Sequence, residues 1–335
     1  MALQHTQGFW PVAAAIGGNT SVTVIKFVAA LSSGSSSMLS EAVHSLADTV
    51  NQILLLIGLG RSTKRSDDQF EYGYGNERFF WALISACGVL FVGAGVTVYQ
   101  GISALSADHS VEFSSMVFLV LAISLVIESY TFSIAARSLR RAFPEASWRE
   151  RLALADPSTL SVYLEDAVAV IGVLIAAGSL TLTFLTGDGL WDALGSIVIG
   201  TMLAVVAITL IMRNRSYLIG AALPEEVREE IIALLQSDPA IERVLDFKSS
   251  TVGFGKYRIK CEVEFNGAAF LRTSHRGRGI KRQFEEIQND FEAFKKFSAD
   301  YADRIPRLIG KKIDDLEARI RAAFPQIRHI DIEVN

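Results

Sequence analysis

The sequence predicts a membrane protein in two parts, an all-α membrane bundle of six transmembrane helices followed by a small α+β domain. Half of the 335 residues are hydrophobic and the mean hydropathy is +0.32, which is too apolar for an ordinary soluble protein. The apolar residues are concentrated before Arg213, and charged residues return after it. We therefore expect residues 1–213 to form the membrane domain and residues 214–335 to form a second domain outside the membrane.

Each predicted span is an apolar run of about 20 residues or more, which is enough to cross about 30 Å of hydrocarbon. The six spans are Phe9–Leu31, Ser36–Leu59, Phe79–Ile102, Met116–Ala136, Thr159–Phe184 and Trp191–Met212. The first contains Lys26, whose long side chain is expected to reach the membrane surface from near the end of the helix. The fourth contains Glu128, which is expected to support a site or to pack between helices.

Charges in the connecting loops predict the orientation. The connectors between spans two and three and between spans four and five hold Arg61, Lys64, Arg65, Arg78, Arg137, Arg140, Arg141, Arg149 and Arg151. The loops at the opposite end contain no Lys or Arg. Because basic loops stay on the cytoplasmic side, we expect both termini to be cytoplasmic. The expected location is a multi-pass position in a bacterial inner membrane, in contact with membrane lipid.

Residues 214–335 alternate between helical and strand patterns. The predicted elements are, in order, helix Pro224–Gln236, strands Glu242–Phe247 and Tyr257–Phe265, helix Ile313–Phe324 and strand Ile330–Val334. The order αββαβ predicts a ferredoxin-like α+β fold with its helices on one face of the sheet. A charged, helix-like insert near residues 267–310 interrupts this order and is expected to be a solvated extension.

The second span carries three ionisable residues on one helical face. Glu41, His44 and Asp48 are spaced three and four residues apart, so they lie one above another along the helix. An ionisable side chain at membrane depth costs at least about 2.5–3.5 kcal/mol, and such residues usually face a polar pathway. An imidazole and a carboxylate four residues apart can form half of a site for a divalent cation. The alternative is a set of hydrogen bonds that only ties helices together, and three such residues on one face favour the metal site.

The fifth span adds an acidic pair, Glu165 and Asp166. Several other function classes find no support. The net charge of −4 gives no basic field for nucleic acid, and two cysteines, Cys87 and Cys261, suggest no disulfide framework. No nucleophile or water-activating motif for a membrane-bound hydrolase is visible, so we do not expect an enzyme.

Four segments of the sequence resemble the cation diffusion facilitators. SSSMLSEAVHSLADTVNQ is similar to the second helix of that family, YGYGNERFFWALI to the start of the third and WDALGSIVIG to the sixth. The tail, from LIGAALPEEV to FPQIRHIDIEV, resembles the family's cytoplasmic domain. The resemblance implies a proton-coupled exporter of a divalent metal cation, zinc above all, that forms a homodimer and dimerises through its cytoplasmic domain. It implies no cofactor beyond the transported cation.

The family's transport site takes two ligands from the second helix and two from the fifth. His44 and Asp48 match the first pair and Asp166 matches one of the second, but Val162 stands where zinc transporters often carry His. Valine cannot bind a metal, so the fourth position falls to Glu165, Glu41 or a water molecule. One histidine with carboxylates suits zinc, and an oxygen-rich set also suits manganese or iron(II).

Val162 also keeps a second function open. Some branches of the family contain members that have lost ligands and act as non-transporting partner subunits or metal-sensing regulators. The discriminating observation is a metal flux that depends on a pH gradient and is carried by the purified protein alone. In the loop before the third helix Asp67 and Asp68 match a second metal site of the family, but Phe70 and Tyr74 replace its histidines, which disfavours a metal there.

Overall fold

A computed structural model describes residues 9–33, 36–105, 115–274 and 279–335. Some side chains inside these ranges, including those of Glu41 and His44, also lie outside the description. The chain divides into two compact units, Met1–Ile219 and Gly220–Asn335. The predicted boundary at residue 213 falls inside the last helix of the first unit, because that helix continues to Ile219.

The described part of the first unit is helical. Its helices are α1 (Phe9–Ser33), α2 (Ser36–Arg61), α3 (Glu77–Leu105), α4 (Ser115–Ala142), the short α5 (Trp148–Leu154), α6 (Pro157–Thr186) and α7 (Leu190–Ile219). Four of these, α3, α4, α6 and α7, are long and apolar enough within the described residues to cross a membrane. Helices α1 and α2 have 25 and 26 residues, but their apolar segments include residues outside the description, so six spans stay a prediction.

The six long helices pack in a closed ring in the order α1, α2, α3, α7, α6, α4 and back to α1. Helix α6 also contacts α1, α2 and α3 across the ring. These contacts give α6 a face that is covered by the other helices, on which polar side chains can be kept away from lipid. The acidic pair Glu165 and Asp166 lies on this helix.

Helices α3 and α7 approach each other at two glycines. A Cβ atom on Gly101 would lie 3.0 Å from the backbone oxygen of Ala193, and one on Gly200 would lie 3.0 Å from the backbone nitrogen of Val98. Small residues allow such close approach between membrane helices. Helix α3 also contains a π-helical segment, Val89–Ala94, in which the backbone hydrogen bonds reach one residue further than in an α-helix.

Three segments meet at one end of the first unit. Arg78 at the start of α3 forms an ion pair with Asp156, with 2.6 Å between guanidinium nitrogen and carboxylate oxygen, and the two side chains are 8% and 0% exposed. Near the end of α7, Arg213 donates hydrogen bonds to the backbone oxygens of Ala153 and Ala155, and the ring of Tyr217 stacks on that of Phe79. The start of α3, the connector before α6 and the end of α7 therefore lie on the same side of the bundle.

The second unit contains a three-stranded sheet and four helices within its described residues. The elements are α8 (Glu225–Gln236), β1 (Ile241–Gly253), β2 (Lys256–Phe265), α9 (Gly267–Ser274), α10 (Ile280–Ile287), α11 (Phe291–Ala323) and β3 (Ile327–Val334). Strand β2 lies in the middle, antiparallel to β1 and parallel to β3. Apolar residues of α8 and α11, such as Ile231 and Leu316, pack with Ile259 and Cys261 of β2 to form the core.

The second half of the insert is helical and mostly exposed. It is continuous with the predicted helix Ile313–Phe324, because α11 runs without a break from Phe291 to Ala323. Pro306 lies inside α11; it removes one backbone donor but does not end the helix. Residues such as Leu316 and Ile320 near the end of α11 are fully buried on the sheet.

Candidate metal site in the membrane bundle

The site is built on α6, whose first residues fix the helix in the bundle. Asp156 precedes the helix and its carboxylate accepts a hydrogen bond from the backbone nitrogen of Thr159 at 3.1 Å, while Pro157 occupies the first turn. Both are favourable at a helix start, where backbone N–H groups lack partners and proline loses nothing. All residues from Ala155 to Val162 are buried, so the two acidic residues follow directly after a fixed turn.

Asp166 lies inside the ring. Its residue is 4% exposed, and its Oδ2 atom has no hydrogen-bond partner among the described residues. Thr131 of α4 lies near enough to its carboxylate to hydrogen-bond it, and the charges of Glu128 and Asp48 act on it. A buried carboxylate oxygen without a partner is costly, so a proton or a cation is needed to compensate it.

Glu165 is half-buried and lies beside Asp166 on the same helix. Its Oε1 atom accepts a hydrogen bond from the hydroxyl of Ser161 at 2.8 Å. The charges of Asp48 and Asp166 both act on it. Asp48 on α2 therefore lies within electrostatic range of the acidic pair on α6.

Glu41 and His44 belong to α2, but their side chains lie outside the described residues. Their part in the site stays a prediction. Within the part of the chain that the structure describes, no group of three or more His, Cys, Asp or Glu side chains converges closely enough to hold a metal ion. The described carboxylates are neighbours without forming a finished coordination sphere.

Val162 has an apolar environment. It is fully buried in a cluster with Val12, Leu55, Leu59, Ala82 and Ala135, which come from four other helices. This position, one turn before Asp166, is therefore filled by hydrocarbon.

Helix α4 contributes more to this region than the sequence indicated. Glu128 is 9% exposed and electrostatically close to Asp166, and Thr131 lies one turn later on the same helix. An isolated carboxylate in an apolar run was the only signal for Glu128, and Thr131 gave none.

Lys26 of α1 is also buried, at 5% exposure, so the expectation that it reaches the membrane surface is wrong. The neighbouring helices cover it before its side chain can leave the bundle.

The loop between α2 and α3 holds Asp67 in a polar cluster of its own. Its carboxylate accepts hydrogen bonds from the ammonium of Lys64 at 2.7 Å and from the hydroxyl of Tyr74 at 2.8 Å. These bonds hold the pKa of Asp67 well below its ordinary value. The carboxylate is thus engaged by two donors of its own loop.

Comparison with known proteins supports the reading of the bundle. A family model described as the cation efflux transmembrane domain matches residues 12–219. The mouse protein named proton-coupled zinc antiporter SLC30A9, mitochondrial, is 37% identical over 314 residues, which cover 92% of this chain and 55% of that protein. Metal tolerance protein C4 of Arabidopsis thaliana is 34% identical over 344 residues, covering 99% of this chain and 74% of that protein.

A more distant relative is the cation-efflux pump FieF of Shewanella oneidensis, which is 24% identical over 271 residues, or 79% of this chain and 86% of the pump. The chain spans about half the length of the mitochondrial antiporters that it matches. The matched family consists of transporters and not of enzymes. Four apolar helices and the cation efflux match together make this an integral membrane protein.

Proposed function

Because this chain belongs to the cation diffusion facilitator family, we propose that it exports a divalent metal cation, zinc in the first place, in exchange for protons. The observation that carries this proposal is Asp166, a buried carboxylate with an unpaired oxygen on α6, which contacts the five other long helices. The charge of Asp48 on α2 acts on it. The names of the mitochondrial antiporters support zinc as the cation and protons as the counter-ion.

The proposed ligands are His44 and Asp48 of α2 and Asp166 of α6. Glu165, Glu41 or a water molecule supplies the fourth ligand. A bound imidazole must be neutral and bound carboxylates must be ionised, so metal and protons compete for the same side chains. This competition couples the two fluxes, since protons that enter from the other side displace the metal. The site opens to the two sides of the membrane in turn if the ring helices rock about α6.

The proposed setting is a membrane in which the basic connectors face the cytoplasm. The α3 start, the connector before α6 and the α7 end lie on one side of the bundle, which supports a shared cytoplasmic position for these three segments. A bacterial inner membrane and a homodimer that dimerises through residues 214–335 complete the proposal.

The decisive experiment is zinc flux into proteoliposomes under an imposed pH gradient. We expect the wild-type chain to transport zinc, and both His44→Ala and Asp48→Ala to abolish the flux while still inserting into the membrane. Asp188→Ala, which changes an exposed carboxylate in the turn between α6 and α7, is the matched control and should transport normally. Flux by His44→Ala at the wild-type rate would refute the ligand assignment.

A second candidate function is that of a non-transporting partner subunit or metal-sensing regulator. The apolar packing of Val162, where a metal-binding histidine is common in the family, favours it. Calorimetry with zinc, manganese and iron(II) between about pH 5.5 and 8 separates the two. Saturable binding that weakens on acidification supports the transporter. An absence of both binding and flux supports the subunit.

A further inference from the structure

Thr131 occupies the point where α4 meets both α1 and α6. It is 3% exposed, and α4 packs against each of these helices. A Cβ atom added to Gly18 of α1 would lie only 2.5 Å from the methyl carbon Cγ2 of Thr131. The glycine therefore leaves the space that the threonine methyl group fills, and this contact fixes the side chain between the two helices.

The hydroxyl of Thr131 has two acceptors within reach. It donates a hydrogen bond to the backbone oxygen of Glu128 at 2.9 Å, and the carboxylate of Asp166 lies near enough to accept its proton instead. A threonine hydroxyl has a single proton to donate. In a helix the Glu128 oxygen keeps its ordinary partner, the backbone N–H four residues later. The hydroxyl can therefore turn fully to Asp166 without leaving that carbonyl unpaired.

A carboxylate that binds a cation needs an orientation set by its surroundings. Outer partners that hydrogen-bond a ligating carboxylate fix its direction, and their loss typically lowers metal affinity 10–100-fold. Among the described residues Thr131 is the hydroxyl on a neighbouring helix that lies within reach of Asp166, and Oδ2 of Asp166 has no hydrogen bond there.

We propose that Thr131 is a positioning residue for the transported cation, holding the Asp166 carboxylate from α4 so that its unpaired oxygen is presented to the interior of the ring. This inference rests on the function proposed above. It makes α4, which supplies no ligand in the family's pattern, part of the machinery that sets metal affinity.

The test measures zinc binding and zinc flux for Thr131→Val and Thr131→Ser in the full-length purified chain. Valine keeps the methyl group that packs on Gly18 and removes only the hydroxyl, whereas serine keeps the hydroxyl and removes the methyl. We expect Thr131→Val to raise the dissociation constant and the KM for zinc by roughly 10–100-fold, and Thr131→Ser to recover most of the affinity. Thr209→Val is the matched control, because this exposed hydroxyl bonds only the backbone oxygen of Val205.

The outcomes separate the possible explanations. Equal zinc affinity in Thr131→Val and the wild type would refute the role of Thr131 and leave the proposed function intact. Loss of affinity in Thr131→Ser together with a lowered midpoint of thermal unfolding would assign Thr131 to packing alone and would also refute it. An absence of zinc binding by the wild-type chain would overturn the proposed function itself.

Discussion

Val162 shows how one apolar residue changes the chemistry open to a membrane site. Its side chain is surrounded by Val12, Leu55 and other apolar residues, so no nitrogen ligand enters from the turn before Asp166. The described groups around Asp166 are carboxylates and a hydroxyl. Such an oxygen-rich set is less selective for zinc than a set with two histidines, and it suits manganese and iron(II) as well.

The two acidic residues on α6, Glu165 and Asp166, should contribute unequally to metal binding. Asp166→Asn removes a buried carboxylate where three helices meet. Loss of an outer partner of a ligand lowers metal affinity by up to roughly 100-fold, and we expect Asp166→Asn to lower zinc affinity by more than that. Glu165→Gln retains a side chain that can bond Ser161, and we expect a smaller loss. Calorimetric titration of both variants with zinc measures the difference. Equal affinity in Asp166→Asn and the wild type would remove α6 from the site.

At the scale of single residues, the sequence shows which side chains are charged but not which residues surround them in the fold. Asp48, Glu165 and Asp166 stand out because carboxylates are rare in apolar runs. Thr131 does not, because threonine is unremarkable in a membrane helix and its role depends on contact with α6. The burial of Lys26 was missed for the same reason, since the pattern along α1 does not show which helices cover it.

The ion pair between Arg78 and Asp156 joins the start of α3 to the residue that precedes α6. Both side chains are buried, so removing the charge of Asp156 deprives the buried guanidinium of this counter-charge. Asp156→Asn keeps an oxygen for the cap of α6 and removes the charge. We expect it to lower the free energy of unfolding by about 3–5 kcal/mol, measured as the loss of folded protein after heating in detergent.

Two further variants make that result interpretable. The double variant Arg78→Gln/Asp156→Asn should be more stable than Asp156→Asn alone, because no unpaired charge is then left in the interior. Glu264→Gln breaks the exposed pair with Arg243 and should cost less than about 1 kcal/mol. If Asp156→Asn and Glu264→Gln had the same free energy of unfolding, the buried pair would not be a stabilising contact.

Element boundaries were predicted best where apolar runs decide them. The four helices that the structure shows to be long and apolar enough to span a membrane correspond to predicted spans. Helix α11 was predicted in two pieces, because its first half has exposed aromatic residues, such as Phe291 and Phe294, and a proline. Only the second half has a sheet to pack on, and a single sequence does not show that the backbone continues through both.

At the scale of the whole chain, each unit has its own apolar core, so a change in one need not unfold the other. Asp238 is the test in the second unit, because its carboxylate binds Lys312 at 3.0 Å and Arg319 at 2.8 Å, both on α11. Burial raises the pKa of Asp238, but the backbone N–H of Ala240 and these two cations outweigh it and lower the pKa below its ordinary value.

The sign of the pH effect follows from that shift. A carboxylate with a lowered pKa in the folded state stabilises the fold above its unfolded value of about 3.9, and this contribution is lost as the pH falls through the folded value. We expect Asp238→Ala to destabilise the second unit at neutral pH by about 2 kcal/mol and to reduce its loss of stability below about pH 4. Hydrogen exchange of the α11 amides in the full-length chain measures both effects.

Zinc binding provides the control for this variant. We expect Asp238→Ala to bind zinc as the wild type does, since the proposed ligands belong to the first unit. Exchange rates in α11 that do not change would show that Asp238 does not hold this helix. The change from apolar to charged composition near Arg213 predicts two parts, whereas composition does not predict the order of the helices around the ring, because that order depends on contacts between distant parts of the chain.

The π-helical segment of α3 determines the rotational phase of that helix. It accommodates one extra residue without the rotation of about 100° that each residue adds in an α-helix. Ser85 before the segment bonds the backbone oxygen of Asn51 on α2, and Gly101 after it meets α7. In an unbroken α-helix of the same sequence these two faces would be turned about 100° further apart, and α3 would lose one of its two neighbours.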